Sequence, residues 1–228
     1  MASRPKITIV IPVYNESTVI KDVITNIMNA GYSNIIAVDD GSTDDTWNIL
    51  QKLPVTSVQH ILNRGKGAAT KTGLEAGLAH QADILVTMDG DGQHESADIH
   101  AIIQPILDKK ADVALGVRKV DLYQMPLLKK IANYVADKTT FLLYGIHVRD
   151  SQCGFRAFSA KAAQSIKTRS DAYSYESEVL LEIKRRKLTF FEVPVQARYT
   201  AYSTTKLHGQ SFTNGLKTLY AMIWNILS

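Results

Sequence analysis

The chain has 228 residues and a single cysteine, Cys153, so it holds neither an intrachain disulfide nor a cysteine-rich zinc site. A reducing compartment is compatible with that count. No apolar run approaches the ~18 residues that a bilayer span requires. The opening MASRPKITIV has a short apolar run containing a proline, so no signal peptide is expected. Neither nucleotide-loop signature, GxGxxG nor GxxxxGK[ST], occurs, and the six histidines show no HExxH spacing. Internal repeats, low-complexity tracts and convincing linkers are also missing. These absences exclude a secreted disulfide scaffold, a dinucleotide-loop oxidoreductase, a P-loop NTPase and a zincin.

What is present is an ordinary globular composition. Apolar residues make up 45% and charged residues 21% of a 25.2 kDa chain, which excludes wholesale disorder. That length suffices for one domain with a sizeable core, with or without a small appendage. The net charge of +4 hides a split. Residues 1–116 carry −5 and residues 117–228 carry +9. An acidic first half and a basic second half suggest cation binding in one and anion or membrane binding in the other. A basic surface arising by chance gives the same split.

The first half alternates strand and helix signals. Residues 7–13 form a nearly continuous apolar run, as in a strand covered on both faces. A helix from about residue 17 carries the stripe Ile20, Val23, Ile24, Ile27 and Met28, and Gly31 ends it. Strands follow at 35–38, 57–62, 83–88 and 112–117. Between them lie a helix capped within 40–44, a helix from the loop at 63–67 to about 80, and a helix at 96–107. Repeated strand–helix units predict an α/β fold with a mostly parallel central sheet and helices on both faces. Ligands then bind at the carboxyl ends of the strands. Those ends carry Tyr14-Asn15-Glu16, Asp39-Asp40 and Asp89-Gly90-Asp91, so acidic residues converge on one sheet edge.

The second half reads as a helix at 126–144, loop and short strand at 149–158, and a helix at 174–187 ending in Lys184-Arg185-Arg186-Lys187. Strands at 188–193 and 195–199 are separated by Pro194. A polar segment at 200–210 precedes a last helix, where Phe212, Leu216, Leu219, Tyr220, Ile223, Trp224 and Leu227 form an apolar stripe. That stripe suits either a bilayer interface or packing on the core or a partner.

Met88-Asp89-Gly90-Asp91-Gly92-Gln93, after an apolar strand, is the sharpest chemical signal. Two carboxylates one residue apart at a strand end suit Mg²⁺ or Mn²⁺ shared with a diphosphate. A solvated Asp-Gly turn fits the residues equally well. Asp39-Asp40-Gly41-Ser42 also serves as a helix cap, and Asn63-Arg64-Gly65-Lys66-Gly67 reads as a basic turn. His94 is expected at the surface, and Cys153 is expected to be a small buried hydrophobe.

Four motifs occur in order: residues 9–16 (IVIPVYNE), 38–44 (VDDGSTD), 63–67 (NRGKG) and 88–93 (MDGDGQ). The series resembles the inverting family 2 glycosyltransferases of GT-A fold. Gly116-Val117-Arg118, the run 150–156 (DSQCGFR), Glu192-Val193-Pro194-Val195, and Arg198-Tyr199 through Lys206 resemble the dolichyl-phosphate mannose synthase branch and its bacterial undecaprenyl-phosphate relatives. The resemblance implies that Pro12, Tyr14, Glu16 and Asp39 hold the donor nucleoside. It puts Asp89, Asp91 and Gln93 around a metal and the donor diphosphate. Arg118 and Arg156 would lie near the acceptor phosphate, and Arg198 and Lys206 on a loop closing over the diphosphate. Arg198-x₇-Lys206 is longer than the Arg-x-x-Gly-x-Ser-Lys of mannose synthases and lacks its glycine, which resembles the bacterial relatives more.

The expectation is a metal-dependent transfer of a sugar from GDP-mannose or a UDP-hexose to a polyprenyl phosphate, with Mg²⁺ or Mn²⁺ as cofactor and Asp91, Arg118 and Arg156 as catalytic residues. A GT-A domain would span 1–210, with a nucleotide-sugar and metal half at 1–117, an acceptor half at 118–210, and an amphipathic helix at 211–228. The enzyme would sit peripherally on the cytoplasmic face of a membrane, with no nucleic-acid partner and no assigned oligomeric state. A hydroxyl acceptor would need a base, for which Glu176 and Glu178 stand available, although exposed helical glutamates are the preferred reading. A sugar-phosphate nucleotidyltransferase lacks its glycine-rich N-terminal signature here. A non-catalytic binding module sits poorly with intact Asp89, Asp91, Arg118 and Lys206.

Overall fold

The computed structural model describes residues 4–119, 127–171 and 174–198. Seven strands form one sheet: β1 (Ile7–Val13), β2 (Ile35–Asp39), β3 (Thr56–Gln59), β4 (Ile84–Thr87), β5 (Val113–Lys119), β6 (Arg156–Ser159) and β7 (Phe190–Gln196). Their order across the sheet is β3-β2-β1-β4-β6-β5-β7. All neighbours are parallel except at β6, which runs antiparallel to both β4 and β5.

The helices are α1 (Ile20–Asn29), α2 (Thr46–Leu50), α3 (Lys66–Ala79), α4 (Ile99–Leu107), α5 (Leu127–Tyr144), α6 (Ala160–Ser165) and α7 (Tyr175–Arg185). Alternate residues of a strand face opposite sides of a sheet. In β1, Ile9, Ile11 and Val13 accordingly enter one core layer with α1 and α4. Val10 enters the other, with residues of α3, α6 and α7. Both faces are therefore covered, which is why β1 reads as a continuous apolar run.

Most expected elements stand, with five differences. The strand expected at 57–62 ends at Gln59, and Ile61 and Leu62 are exposed beyond it. Met28, expected in the α1 stripe, is exposed, while Ile20, Val23, Ile24 and Ile27 are buried. The two strands expected around Pro194 are one, β7, running through the proline. β7 pairs only with β5, so the missing N–H of Pro194 is tolerated on an edge strand. The six-residue α6 carries no expectation, being too short for a periodic signal, and the first turn of the helix expected at 96–107 is a 3₁₀ turn, Ser96–Asp98, leading into α4. The stripe at 211–228, the polar segment at 200–210 and Lys206 lie outside the described residues.

Helix α3 approaches the sheet through small residues: Gly67, Ala68, Ala69, Gly73 and Gly77 are all buried. A Cβ on Gly73 would stand 2.3 Å from Val10 Cγ1 and 3.2 Å from Val38 Cγ2. Both neighbours are β-branched and stiff. Gly73→Ala is therefore expected to destabilise the fold by about 1–3 kcal/mol despite its better helix propensity. A lowered urea midpoint at unchanged slope checks it, and an unchanged or raised midpoint would show that the layers can part.

Candidate active site

Strands β2, β1 and β4 are neighbours, and their carboxyl ends bring residues 14–16, 39–40 and 89–91 to one edge, as expected. The loop after β1 is laced to the loop after β2. Asn15, at φ 53°, receives Thr43 N on its Oδ1 at 2.8 Å and donates its own N–H to Ser42 Oγ at 2.9 Å. Glu16 is buried and its N–H donates to Thr46 Oγ1 at 2.8 Å. Tyr14 is 41% exposed at the rim. Asp39 is fully buried, with Oδ1 accepting from Ser42 N and hydroxyl and Oδ2 from Gln59 Nε2 at 2.9 Å. Asp40 clamps the next loop. It accepts from Arg64 N at 3.0 Å and Gly65 N at 2.7 Å, and pairs with His60 Nδ1 at 2.7 Å.

That clamp delivers Lys66 to the centre of the site. Its Nζ lies 2.7 Å from Asp89 Oδ1 and 2.9 Å from Glu176 Oε1. Burial alone would push the ammonium toward neutrality, but the two carboxylates outweigh it and its pKa is raised. For Asp89, burial works upward, and Lys66 together with His94 outweighs it, holding the carboxyl well below the usual range. His94 Nε2 stands 3.4 Å from Asp89 Oδ2, and the imidazole is buried against Phe155 with ring centroids 5.1 Å apart.

Three expectations are corrected here. Lys66 is a member of the site and not merely part of a basic turn. His94 is buried, not at the surface, because it closes the gap between Asp89 and Phe155. Glu176 and Glu178 are not exposed, because α7 is buried on all sides from Tyr175 to Ile183. Glu178 accepts the N–H groups of Arg169 and Ser170, each at 2.8 Å. Cys153 is buried as expected, and burial pushes its thiol up to about 12, so it remains an inert thiol.

Asp91 lies in the same loop as Asp89 but has other partners. Its oxygens accept from Gln93 N at 3.0 Å and Gln93 Nε2 at 2.6 Å. Pro12, Asp89 and Arg156 meet with Lys66, Tyr175 and Glu176 around a cavity of about 10 Å³. Arg156 is 2% exposed and does not present itself as a phosphate ligand. Its guanidinium donates to the carbonyls of Cys153 (2.9 Å), Glu176 (2.9 Å) and Ser151 (2.8 Å). Arg118, at the end of β5, forks onto Asp150 through Nε at 2.7 Å and Nη2 at 2.8 Å. Arg198 pairs with Glu95 and donates its main-chain N–H to Gln93 O at 2.8 Å, so it stands beside the carboxylate loop.

The glycosyl transferase family 2 pattern matches residues 8–167, a span that holds Lys66, the 89–93 loop, Arg118 and Arg156. The chain belongs to glycosyl transferase family 2. It is 39% identical over 226 residues to the uncharacterized protein MJ1222 of Methanocaldococcus jannaschii, covering 97% of this chain and 92% of that one. It is also 39% identical over 239 residues to a UDP-N-acetylglucosamine–dolichyl-phosphate N-acetylglucosaminyltransferase of Methanococcus voltae, covering 95% of this chain and 94% of that one. A dolichol-phosphate mannosyltransferase of Pyrococcus furiosus is 27% identical over 230 residues, covering 96% of this chain and 64% of its own length. A solved glucosyl-3-phosphoglycerate synthase from Mycobacterium tuberculosis, crystallised with Mn²⁺, uridine diphosphate and phosphoglyceric acid, superposes with a TM-score of 0.73. At 20% identity, covering 96% of this chain and 78% of that one, it attests the GT-A-like fold.

The candidate site of this family 2 glycosyltransferase rests on a cation wedged between two acids, and this makes its stability legible in pH. In the intact protein the depressed Asp89 contributes stability present above its unfolded pKa of ~3.9 and lost in stronger acid. The raised Lys66 contributes stability present below its unfolded pKa of ~10.4 and lost in stronger alkali. Lys66→Met removes the cation that links Asp89 to Glu176 and leaves Asp89 only the His94 ring at 3.4 Å, so its buried carboxyl loses its main support and its folded pKa rises above the unfolded one. The variant is then expected to lose thermal stability as pH climbs from about 4 to 7, where the intact pair gives a plateau. Parallel pH slopes for the two proteins would show that the pair is solvated. A Cβ at Gly154 would stand 2.7 Å from Asp89 Oδ1 and 2.8 Å from Lys66 Nζ. Gly154→Ala should therefore cut sugar transfer at least about tenfold in a folded protein, an effect of ~1.4 kcal/mol on the barrier.

Proposed function

We propose that this glycosyltransferase moves one sugar from a nucleotide sugar, a UDP-sugar in the first instance, to a polyprenyl phosphate, with inversion at the anomeric carbon. The observation that carries the reading is the engagement of both glutamates at the start of α7. Glu176 is held by Lys66, and Glu178 by two backbone N–H groups. A hydroxyl acceptor needs a base to remove its proton. A phosphate monoester, with a second pKa near ~6, is largely dianionic at neutral pH and needs none. The printed activities of the Methanococcus and Pyrococcus relatives support the same acceptor class, and the former's 39% identity favours UDP-N-acetylglucosamine as donor.

The 89–93 loop fits Mg²⁺ or Mn²⁺ of a particular kind. Among the described residues no three His, Cys, Asp or Glu side chains gather into a protein-only metal cage. Asp91 and Gln93, with Asp89 behind them, instead offer the one or two carboxylates that Mg²⁺ takes when substrate phosphates complete its shell. The ion would neutralise charge on the departing diphosphate. Asp89, kept ionised by Lys66 and His94, presents fixed negative charge toward the oxocarbenium-like sugar as it separates from the donor. Tyr14, Glu16, Pro12 and Asp39 would shape the nucleoside side within residues 1–117. Arg118 would meet the acceptor phosphate in residues 118–210, with Arg156 acting beneath it as a brace. Arg198 and Lys206 would attend the diphosphate.

Among the described residues no helix is long and apolar enough to cross a membrane. Peripheral attachment through 211–228 at the cytoplasmic face is the placement we propose, since a polyprenyl-phosphate headgroup lies at that surface.

The test is a donor screen with purified protein, Mn²⁺ and vesicles carrying a short polyprenyl phosphate, read by product mass. UDP-N-acetylglucosamine should give a polyprenyl-phosphate N-acetylhexosamine. At subsaturating acceptor the rate should fall as pH drops below ~6, when the phosphate takes up its second proton. Asp91→Asn should lower the rate more than about 100-fold while leaving the thermal transition in place. Transfer to a free glycan hydroxyl but not to the lipid phosphate would overturn the acceptor assignment.

A further inference from the structure

We propose that a second anion site, separate from the sugar-transfer site, lies between α7 and the loop that follows α6, and that it takes a phosphate monoester. None of the residues that would bind it takes part in the transfer chemistry described above.

The loop and the helix enclose a cavity of about 510 Å³. That lies within the ~300–1,000 Å³ of small-molecule sites. The cavity beside Lys66 is only about 10 Å³. Four cations in the wall, Lys167, Arg169, Arg185 and Arg186, stand with two carboxylates, Glu178 and Glu182, which leaves a net charge of +2. A phosphate monoester carries about −1.5 to −2 at neutral pH and matches it.

The two carboxylates are already committed. They lie one helical turn apart on α7 and bind the loop. Glu178 accepts the N–H groups of Arg169 and Ser170, each at 2.8 Å. Glu182 accepts Lys167 N at 3.3 Å and Arg186 Nε at 3.2 Å, and Arg185 Nη1 stands 3.6 Å from it. Three of the four N–H groups of 167–170 thus go into the helix, and that of Thr168 is the exception. Among the described residues, the N–H and hydroxyl of Thr168, the Lys167 ammonium and Nη1 and Nη2 of Arg186 take no partner. Lys167 is exposed and the Arg186 side chain is 46% exposed, so both can reach a ligand. Glu182 holds Arg186 by its Nε, which leaves the planar Nη1–Nη2 edge to match two phosphate oxygens. Arg169 and Arg185 add charge to the wall and have partners of their own.

Basic residues at the end of a helix also answer its dipole. That accounts for Arg185 and Arg186, but not for Lys167 and Thr168, which reach the same cavity from another element. Nor do the last carbonyls of α7 need these side chains. Those of Glu182, Ile183 and Lys184 accept the N–H groups of Arg186, Leu188 and Lys187 at 2.9, 2.9 and 3.1 Å. The cavity is a neighbour of the transfer site without being part of it. Glu182 stands six residues, ~9 Å, along α7 from Glu176. The far end of the same loop meets the turn that carries Lys66, where Asp171 O accepts Ala68 N at 3.2 Å.

A soluble phosphate monoester and a lipid headgroup offer the same chemistry, and two arms separate them. In the first, glycerol 3-phosphate is titrated into the full-length protein at constant ionic strength, with chloride as the reference anion. Nuclear magnetic resonance follows the amides of 167–169 and the Nε–H of Arg186, which should shift to saturation with the phosphate and little with chloride. Lys167→Glu should weaken this binding at least about tenfold, and Arg186→Gln about as much, with sugar transfer within twofold. Lys167→Glu, at an exposed position, carries the test if loss of the Arg186–Glu182 pair unsettles the fold. In the second arm, the protein is sedimented with phosphatidylcholine vesicles, with and without phosphatidic acid. Pelleting that needs phosphatidic acid and is lost in Lys167→Glu assigns the site to a lipid headgroup. Pelleting unchanged in that variant, with glycerol 3-phosphate binding weakened, assigns it to a soluble phosphate. A second site is excluded if chloride reproduces the shifts, if only Arg118 and residues 89–93 respond, or if the variants match the intact protein in both arms.

Discussion

One ammonium between two carboxylates organises this molecule. Lys66 enters from the first turn of α3, Asp89 from the end of β4 and Glu176 from the first turn of α7, and they meet within 2.7–2.9 Å. Three elements far apart in sequence are thereby tied at the edge of the sheet where ligands of open α/β folds bind. A lone buried carboxylate would take up a proton and lose its charge. Lys66 keeps Asp89 ionised, and Asp89 with Glu176 keeps Lys66 charged.

The surrounding structure serves this constraint. Asp40 binds two backbone N–H groups of the 64–65 turn and so fixes where α3 begins. Small residues let α3 lie close on the sheet, which carries Lys66 inward. On the other side, β6 is inserted antiparallel between β4 and β5. Its pairing sets Thr87 opposite Arg156, so the strap that precedes β6 must pass directly over the end of β4. Only a residue without a Cβ fits at 154, where the strap crosses the Lys66–Asp89 pair. Arg156 then holds the strap down by its carbonyls and reaches the first turn of α7 through the carbonyl of Glu176.

Which of this was legible in the sequence follows from how local each signal is. The runs at 7–13 and 35–38 and the stripe of α1 report burial through spacing alone, and the parallel sheet and its acidic edge follow from them. The 89–93 loop announces itself by two carboxylates at a strand end. Lys66 does not, because the partners that make it more than a turn lysine stand 23 and 110 residues away. Glu176 and Glu178 look like exposed helix positions, since a helix buried on every side leaves no polar face to read. The burial of His94 is hidden for a related reason: it is packed against Phe155, 61 residues on. The break expected at Pro194 reflects a rule for central strands, and edge strands are exempt from it. Arg156 was recognisable as important, but sequence does not distinguish an arginine that meets a ligand from one that braces main-chain carbonyls.

The strap and the end of β7 together explain how an acidic half and a basic half form one site. The acidic carboxylate loop is contributed early in the chain, and the basic groups arrive later by two rigid routes. The first is the 150–156 strap, which relates Arg118 to Asp89 through pinned backbone. The second is β7, whose last residues are stitched to the segment beyond Gln93. Gln196 N donates to Asp98 Oδ2 at 2.5 Å, Ala197 bridges His94, and Arg198 N donates to Gln93 O at 2.8 Å. Because Arg198 is anchored there, the polypeptide continues from a point next to the carboxylate loop. The opposite charges of the two halves are thus set side by side by backbone contacts that carry no charge, and long-range attraction need only act on the ligands.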